Sequence, residues 1–221
     1  MEQSAPSART KVQRLPHRGA YDQETLWAIL DEGLVCHVGF VTDDGQPLVL
    51  PTTHVRVGEQ LYLHGAAANR MLNTLSTGVA VCVTVTLLDG LVLARAAFKH
   101  SMNYRSVVVL GRAKAVTDAA EKRRILSALV EHVMPGRSSQ VRGPNDKELA
   151  ATLLLVLPLN EASAKIRRGP PVDDPLDYGL DVWAGELPLR LRPLPPVRDP
   201  KLSASVDTPE QLARYRREPS P

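Results

Sequence analysis

Apolar and polar residues alternate along much of this chain, and a period of two residues is typical of β-strands with one buried face. The alternation is clearest in residues 79–88, where valines occupy every second position from Val79 to Val85. The turns Asp43-Asp44-Gly45 and Asp89-Gly90 predict antiparallel hairpins. Further strands are predicted at 34–41, 47–57, 60–64, 91–98, 104–116, 152–158 and 163–169, with a docked terminal strand at 182–193.

A period of 3.6 residues in shorter segments predicts helices between these strands. The first runs from the cap Asp22 to the stop at Gly33, and a second follows an alanine-rich turn and reaches about Ser76. Two later helices begin at predicted capping boxes, Asp118 with Glu121 and Asn145 with Glu148. Strands outnumber helices, and their hairpin spacing predicts a mainly β fold with flanking helices, arranged as an antiparallel barrel.

Composition divides the 221 residues into one domain with two tails. Residues 1–20 are polar and basic, which predicts an extended N-terminal arm, and residues 21–193 carry the strand pattern. Residues 194–221 are rich in proline and charge, which predicts a tail that is flexible or wraps a partner subunit. Cys36 and Cys82 lie in apolar strands, so we expect buried free thiols.

The net charge of +3, with Lys and Arg gathered at both ends, suits an anionic ligand. The chain has no long basic run, so we expect no nucleic-acid partner. It has neither a signal-peptide core nor an apolar stretch of about 20 residues, so we expect a cytoplasmic protein without a membrane partner. Rossmann, P-loop, G-x-S-x-G, C-x-x-C and H-E-x-x-H motifs are missing, and the six scattered histidines predict no metal site.

One region has the character of a cradle for a phosphorylated ligand. A strand ending in LYLHG leads into the small residues Ala66 to Ala68, followed by Asn69 and Arg70. Small residues let backbone N–H groups approach an anion at a helix N-terminus, and Arg70 and Arg105 would add positive charge. Arg105 lies in a second segment, HSMNYRSVVVLGRA, and pairing with an acidic neighbour is the alternative interpretation of this side chain.

The order of PLVLPTTHVRV, LYLHGAAANRML, SMNYRSVVVLGRA, ASAKIRRGPPVDD and VWAGELPL resembles the pyridoxamine 5′-phosphate oxidase-like split-barrel flavoproteins. More narrowly, the chain is similar to their flavin-nucleotide-binding branch, which includes nitroimidazole-resistance-type reductases. The resemblance covers roughly residues 10–200. It implies an antiparallel split β-barrel and a homodimer that binds two FMN molecules in clefts between its subunits.

The resemblance also implies which residues meet FMN. The strand around Pro51 would lie beside the isoalloxazine ring, the Asn69 segment would meet the phosphate, and the segment from Ser101 to Ser106 would form a second contact. An aromatic residue from near the C-terminus would complete the site, although it is as readily interpreted as a dimer anchor. The predicted cofactor-binding set is Pro51, Thr52, Thr53, His64, Asn69, Arg70, Met71, Ser101, Tyr104, Arg105, Ser106 and Trp183.

The implied activity is that of an FMN-dependent oxidoreductase that takes hydride from a nicotinamide and acts on a small molecule. No catalytic side chain is identified. His54 stands where the oxidase itself commonly has Arg, and the pyridoxal-phosphate-binding residues near its C-terminus are missing, so pyridoxamine phosphate is a poor substrate hypothesis. Three alternatives stay open: a non-catalytic flavin carrier or sensor, deazaflavin in the same cradle, and haem bound through His54, His64 or His100.

Overall fold

In a computed structural model, residues 4–216 are described, and their ten strands form one antiparallel sheet with five α-helices around it. The strands are β1 Gly19–Ala20, β2 Val35–Val41, β3 Pro47–Val57, β4 Gln60–Ala66, β5 Ala80–Leu93, β6 Ser101–Arg112, β7 Lys114–Ala115, β8 Thr152–Pro158, β9 Ala162–Arg167 and β10 Gly185–Pro188. The helices are α1 Gln23–Glu32, α2 Arg70–Ser76, α3 Ala119–Val133, α4 Asp146–Ala150 and α5 Glu210–Arg214.

The strand order is β1-β9-β6-β5-β2-β3-β4-β8-β7, with β10 added to β5. Long strands in the middle of this order cover a main core formed by inward-facing aliphatic side chains of β2, β4, β5, β6 and β8 with α1 and α2. The sheet curls until its two halves meet, since a Cβ atom on Gly111 of β6 would lie 2.7 Å from Leu157 Cδ1 of β8. A second, smaller core lies between β3, β4, β8 and helix α3. These features confirm the predicted mainly β, split-barrel class.

The turn predicted at Asp89-Gly90 is wrong. Strand β5 continues through both residues, with only a bulge between Leu88 and Gly90 where it pairs with β6. The strand ends at Leu93, earlier than the predicted 98. Tertiary contacts override the turn propensity, because the Asp89 carboxylate is bound by Arg105 and the Gly90 backbone pairs with β10.

Helix caps follow the sequence closely. The side chains of Asp22, Asn69, Asp118 and Asn145 each accept a backbone N–H from the first turn of α1 to α4. The capping box of α4 is complete, whereas Glu121 of α3 instead accepts a hydrogen bond from Tyr62 Oη at 3.1 Å. The helix therefore ties its first turn to β4 and the second core.

Both tails contact the body of this chain. In the arm, Ser7 Oγ donates to Glu161 at 2.6 Å and Val12 N donates to Tyr21 Oη at 2.9 Å. Near the C-terminus, Tyr215 Oη donates to the carbonyl of Val133 at 3.1 Å. The docked terminal strand is confirmed as β10, although it is shorter than predicted. The predicted arm and tail also include residues 1–3 and 217–221, which lie outside the described residues.

Cys36 and Cys82 are both free thiols, as expected. Cys36 is buried, which confirms the prediction, whereas Cys82 is only half-buried. Across residues 4–216, none of the helices has the length and apolar character needed to cross a membrane.

Candidate functional site: the fork between β3 and β4

Strand β3 changes partners half-way along its length. Residues 47–53 pair with β2, whereas pairing with β4 runs only from His54, opposite Leu63, to Val57. Beyond Leu63, strand β4 continues to Ala66 paired with β8. We call the place where β3 and β4 separate the β3–β4 fork. One side is formed by residues 51–53 of β3, and the other by residues 64–70, which include the end of β4, the turn after it and the first residue of α2. The fork brings together two segments that the sequence predicted at one cofactor.

The β4 side of the fork is organised by its own backbone. Ala67 N donates to Ala151 O and Asn69 N donates to Ala66 O, both at 2.8 Å. The prediction that the alanine-rich turn offers its N–H groups to a phosphate therefore needs correction, since two of them are already bonded. The Asn69 side chain is likewise engaged, because its Oδ1 accepts from Leu72 N at 3.0 Å and caps α2.

Arg70 and Met71 point to different environments. The Arg70 side chain is exposed at the first position of α2, where it can bind an anion, whereas Met71 is buried in the main core. Met71 is thus a packing residue, and its side chain is removed from the predicted ligand contacts. The pKa of Asp44 is lowered, first by the hydroxyl of Thr42 and to a smaller extent by the positive charge of Arg70. The positive charge of Arg70 therefore reaches the β2–β3 turn.

His64 is the unusual polar group of the fork. Its ring is half-buried on β4, and its Nδ1 is buried without a hydrogen-bond partner among the described residues. Burial lowers the pKa of His64, so the ring is neutral near pH 7. An unsatisfied buried nitrogen is costly in a folded protein unless a ligand or water completes it. The atom therefore fits a fork that receives a polar ligand.

Four of the predicted residues share the outer face of the sheet. Registers place Thr53 opposite Val35 and Pro51 opposite His37, and the same face continues across β5 to β6. Ser106 Oγ on this face donates to Lys165 O at 3.2 Å. Thr52 instead pairs with the buried Cys36 and faces inward. The residues on the outer face are Pro51, Thr53, Tyr104 and Ser106.

Arg105 is not available to a phosphate. Its side chain is only 5% exposed, and it donates to Asp89 from Nε (2.9 Å) and Nη2 (2.8 Å) and to Glu32 from Nη1 (2.5 Å) and Nη2 (2.9 Å). These hydrogen bonds raise the pKa of Arg105 above its usual value, with Asp89 the larger cause. The sequence prediction of a cofactor contact is therefore corrected, and the alternative of an acidic partner is the observed one.

Ser101 and Trp183 lie away from the fork. Ser101 is exposed at the start of β6, opposite Val92. Trp183 is 68% exposed just before β10, and its ring lies over Gly185, where a Cβ atom would come within 3.0 Å of it. Close to Trp183, the registers of β10, β5 and β6 align exposed apolar side chains that the sequence analysis did not identify. This apolar face consists of Leu88, Met102, Trp183 and Leu187.

In the part of the chain that the structure describes, no group of three or more His, Cys, Asp or Glu side chains is placed to hold a metal ion. The polar groups at the β3–β4 fork are those of the backbone, the Thr53 hydroxyl, the His64 imidazole and the Arg70 guanidinium.

The family model for pyridoxamine 5′-phosphate oxidase matches residues 22–166, which include both sides of the fork and most of the sheet. The chain belongs to this family. A comparison with curated proteins gives no significant match.

Solved structures agree with this membership. The flavocytochrome Anf3 from Azotobacter vinelandii is 42% identical, with 97% of this chain and 99% of that chain covered and a TM-score of 0.91. The FAD and heme binding protein from Mycobacterium smegmatis is 34% identical over 89% of this chain and 96% of that one, with a TM-score of 0.85. A structure described as a 5-nitroimidazole antibiotic resistance protein from Bacteroides thetaiotaomicron, at 22% identity, 67% and 86% coverage and a TM-score of 0.57, supports the fold alone.

Proposed function

We propose that this family member is a redox protein that binds a flavin nucleotide at the β3–β4 fork and haem at a second place. The observation that carries the flavin half is the fork itself, which sets Pro51 and Thr53 of β3 near His64 of β4, with Arg70 following at the start of α2. Flavin performs the electron transfer when bound, and the protein orients it and restricts access to it.

Each side of the fork has a chemical role in this proposal. Arg70 supplies a permanent positive charge for the phosphate, and its exposure leaves all its donors within reach of a ligand. The neutral His64 supplies a ring nitrogen for a polar edge of the flavin, which would satisfy the buried Nδ1. The Thr53 hydroxyl and nearby backbone would bind the isoalloxazine edge.

The flavocytochrome and the FAD and heme binding protein described above support haem as well as flavin binding. They also change the flavin nucleotide that we expect. FMN was the expectation from sequence, whereas FAD is named for the relative from Mycobacterium smegmatis. We propose FAD as the flavin of this chain and retain FMN as the other outcome. We propose a nicotinamide as the reductant and a small molecule as the substrate. When bound, flavin and haem would supply the electron-transfer chemistry.

We further propose a homodimer with the flavin at the subunit interface. The apolar face of Leu88, Met102, Trp183 and Leu187 supports the dimer, because a contiguous exposed apolar surface is typical of an interaction site. We also propose that the protein acts in the cytoplasm and has neither a nucleic-acid nor a membrane partner.

The test of the flavin site is the ligand that copurifies with the full chain. We expect flavin absorption and, after extraction, the mass of FAD. Arg70→Ala should weaken flavin binding on the order of tenfold, because a charge-assisted phosphate contact is lost. Arg124→Ala, on the exposed surface of α3, is the matched control and should bind as the parent does. A colourless protein that does not quench added FAD or FMN would refute the proposal.

A non-catalytic carrier or sensor is separated from an oxidoreductase by anaerobic mixing with NADH or NADPH. Bleaching of bound flavin on the time scale of turnover is expected for the enzyme. Flavin that remains oxidised with both nucleotides would identify the carrier.

A further inference from the structure

The six histidines differ in burial and in the hydrogen bonds of their ring nitrogens. These two properties decide which histidine suits a haem iron. His54 is completely buried, and its Nε2 donates to Leu30 O at 2.9 Å. His132 Nε2 donates to Gly33 O, also at 2.9 Å, and the two rings lie 5.4 Å apart between centroids. Both imidazoles thus hold the C-terminal end of α1, and a porphyrin cannot reach His54 inside the core.

Three other histidines are less suited for different reasons. His64 belongs to the β3–β4 fork, where we propose that it contacts the flavin. His17 and His37 are exposed, but within residues 4–216 no hydrogen bond fixes the ring of either one. A metal-binding histidine is normally oriented by a bond from its second ring nitrogen, so these two lack the expected support.

His100 has the required geometry. Its ring is exposed directly before β6, and its Nδ1 lies 3.1 Å from the carbonyl oxygen of Ala96. A carbonyl can only accept, so Nδ1 carries the hydrogen and Nε2 carries the lone pair. This tautomer, held by a backbone carbonyl, is the arrangement in which histidines bind metal ions through Nε2.

Two segments at the surface near His100 carry exposed apolar side chains. Phe98, two residues before His100, is 92% exposed, and Leu176 is 93% exposed in the segment 173–180. Two ion pairs hold these segments together, Lys99 to Asp174 at 2.8 Å and Arg95 to Asp173 at 3.1 Å.

The guanidinium of Arg95 also lies 5.1 Å from the ring centre of Tyr178, which keeps a second aromatic side chain at this surface. Two exposed aromatic rings and a leucine, on segments that ion pairs join beside an oriented imidazole, are unusual for a solvent-facing surface. They match the flat apolar face of a porphyrin. We call this group, Phe98, His100, Leu176 and Tyr178, the His100 patch.

We propose that His100 is an axial ligand of the haem iron through Nε2, and that the His100 patch supplies apolar cover for the porphyrin. The inference rests on the haem half of the proposed function and assigns it to a place separate from the β3–β4 fork. It also selects one of the three histidines that the sequence left open.

The test compares His100→Ala with His64→Ala and His37→Ala in the full chain, produced with haem supply and also titrated with hemin. His100→Ala should lose haem affinity by at least the ~10-fold that even an outer-shell change costs, with flavin absorption retained. The electron paramagnetic resonance signal of the remaining ferric haem should change, and added imidazole should restore the parent Soret band. His37→Ala, also exposed, is the matched control and should leave the Soret band unchanged.

The outcomes separate the two proposals. A parent protein with flavin absorption that fails to bind hemin would refute haem binding and with it this assignment, while flavin binding stands. If the parent binds haem and His100→Ala keeps the same affinity, Soret band and resonance signal, only the assignment of His100 is overturned. Loss of haem in His64→Ala alone would move the iron to the β3–β4 fork.

Discussion

At the residue scale, two arginines of this chain show how far the role of a charged side chain can be predicted from its neighbours in sequence. Arg70 and Arg105 are both next to small or polar residues in a predicted cradle, yet Arg70 is exposed and Arg105 is enclosed by Asp89 and Glu32. The first can bind a ligand, and the second holds α1, β5 and β6 together. Replacing the second should therefore affect stability before it affects any ligand.

We expect Arg105→Met to lower the free energy of unfolding by about 3 kcal/mol, because two largely buried carboxylates would both lose their pairing with the Arg105 guanidinium. Urea unfolding followed by circular dichroism measures the loss. Arg142→Met is the matched control, since Arg142 also makes a two-pronged pair, with Glu148, but at the surface. The free energy of unfolding of the control should change little, because exposed ion pairs contribute little to stability. Equal losses in both variants would contradict a structural role for the pairing of Arg105 with Asp89 and Glu32.

At the element scale, the addition of β10 to β5 depends on the backbone at the bulge. A Cβ atom on Gly90 would lie 3.0 Å from Leu187 O and 3.4 Å from Pro188 Cα. β10 must then shift outward to admit even a methyl group. The hydrogen bond from Leu189 N to Asp89 O, 3.0 Å long, is the contact at the end of this pairing.

Gly90→Ala is therefore expected to destabilise the β10 pairing by about 1 kcal/mol, the low end of overpacking costs. Hydrogen exchange at the Leu189 amide should become faster, while exchange in the centre of β2 and β6 stays unchanged. Gly39→Ala is the control in the same sheet, because its added Cβ meets nothing nearer than 3.5 Å. Unchanged exchange at Leu189 in Gly90→Ala would show that β10 is not held by this close approach.

At the scale of the whole molecule, the distribution of exposed apolar side chains bears on assembly. The face of Leu88, Met102, Trp183 and Leu187 combines three strands and the segment before β10, so only the assembled sheet creates it. The proposed dimer would cover it. A charge placed in the centre of such a face costs association energy because it must lose its water.

We expect Leu88→Glu to convert the protein from twice the mass of one chain to the mass of a single chain in light scattering after size exclusion. Leu194→Glu, a change of the same kind at an exposed leucine of the C-terminal segment, should leave the mass unchanged. A parent protein that is already monomeric at micromolar concentration would refute the dimer. A dimer that survives Leu88→Glu would place its interface elsewhere.

The sequence by itself determined most of the elements, because their signals are local. Alternating valines in β5 and the capping side chains of Asp22 and Asn145 depend on neighbours within a few residues, so the strands, helices and a split-barrel resemblance could be predicted. The two sides of the β3–β4 fork were also predicted as one site, through the family resemblance.

Only the tertiary structure decided what surrounds each side chain. Arg105 meets Glu32 from 73 residues away, and Asp89-Gly90 stays within a strand because Arg105 and β10 engage it. Met71 is buried while Arg70 beside it is exposed, although both follow the same turn. Such contacts depend on how distant segments pack, and local patterns of hydrophobicity, charge and turn propensity carry no information about them.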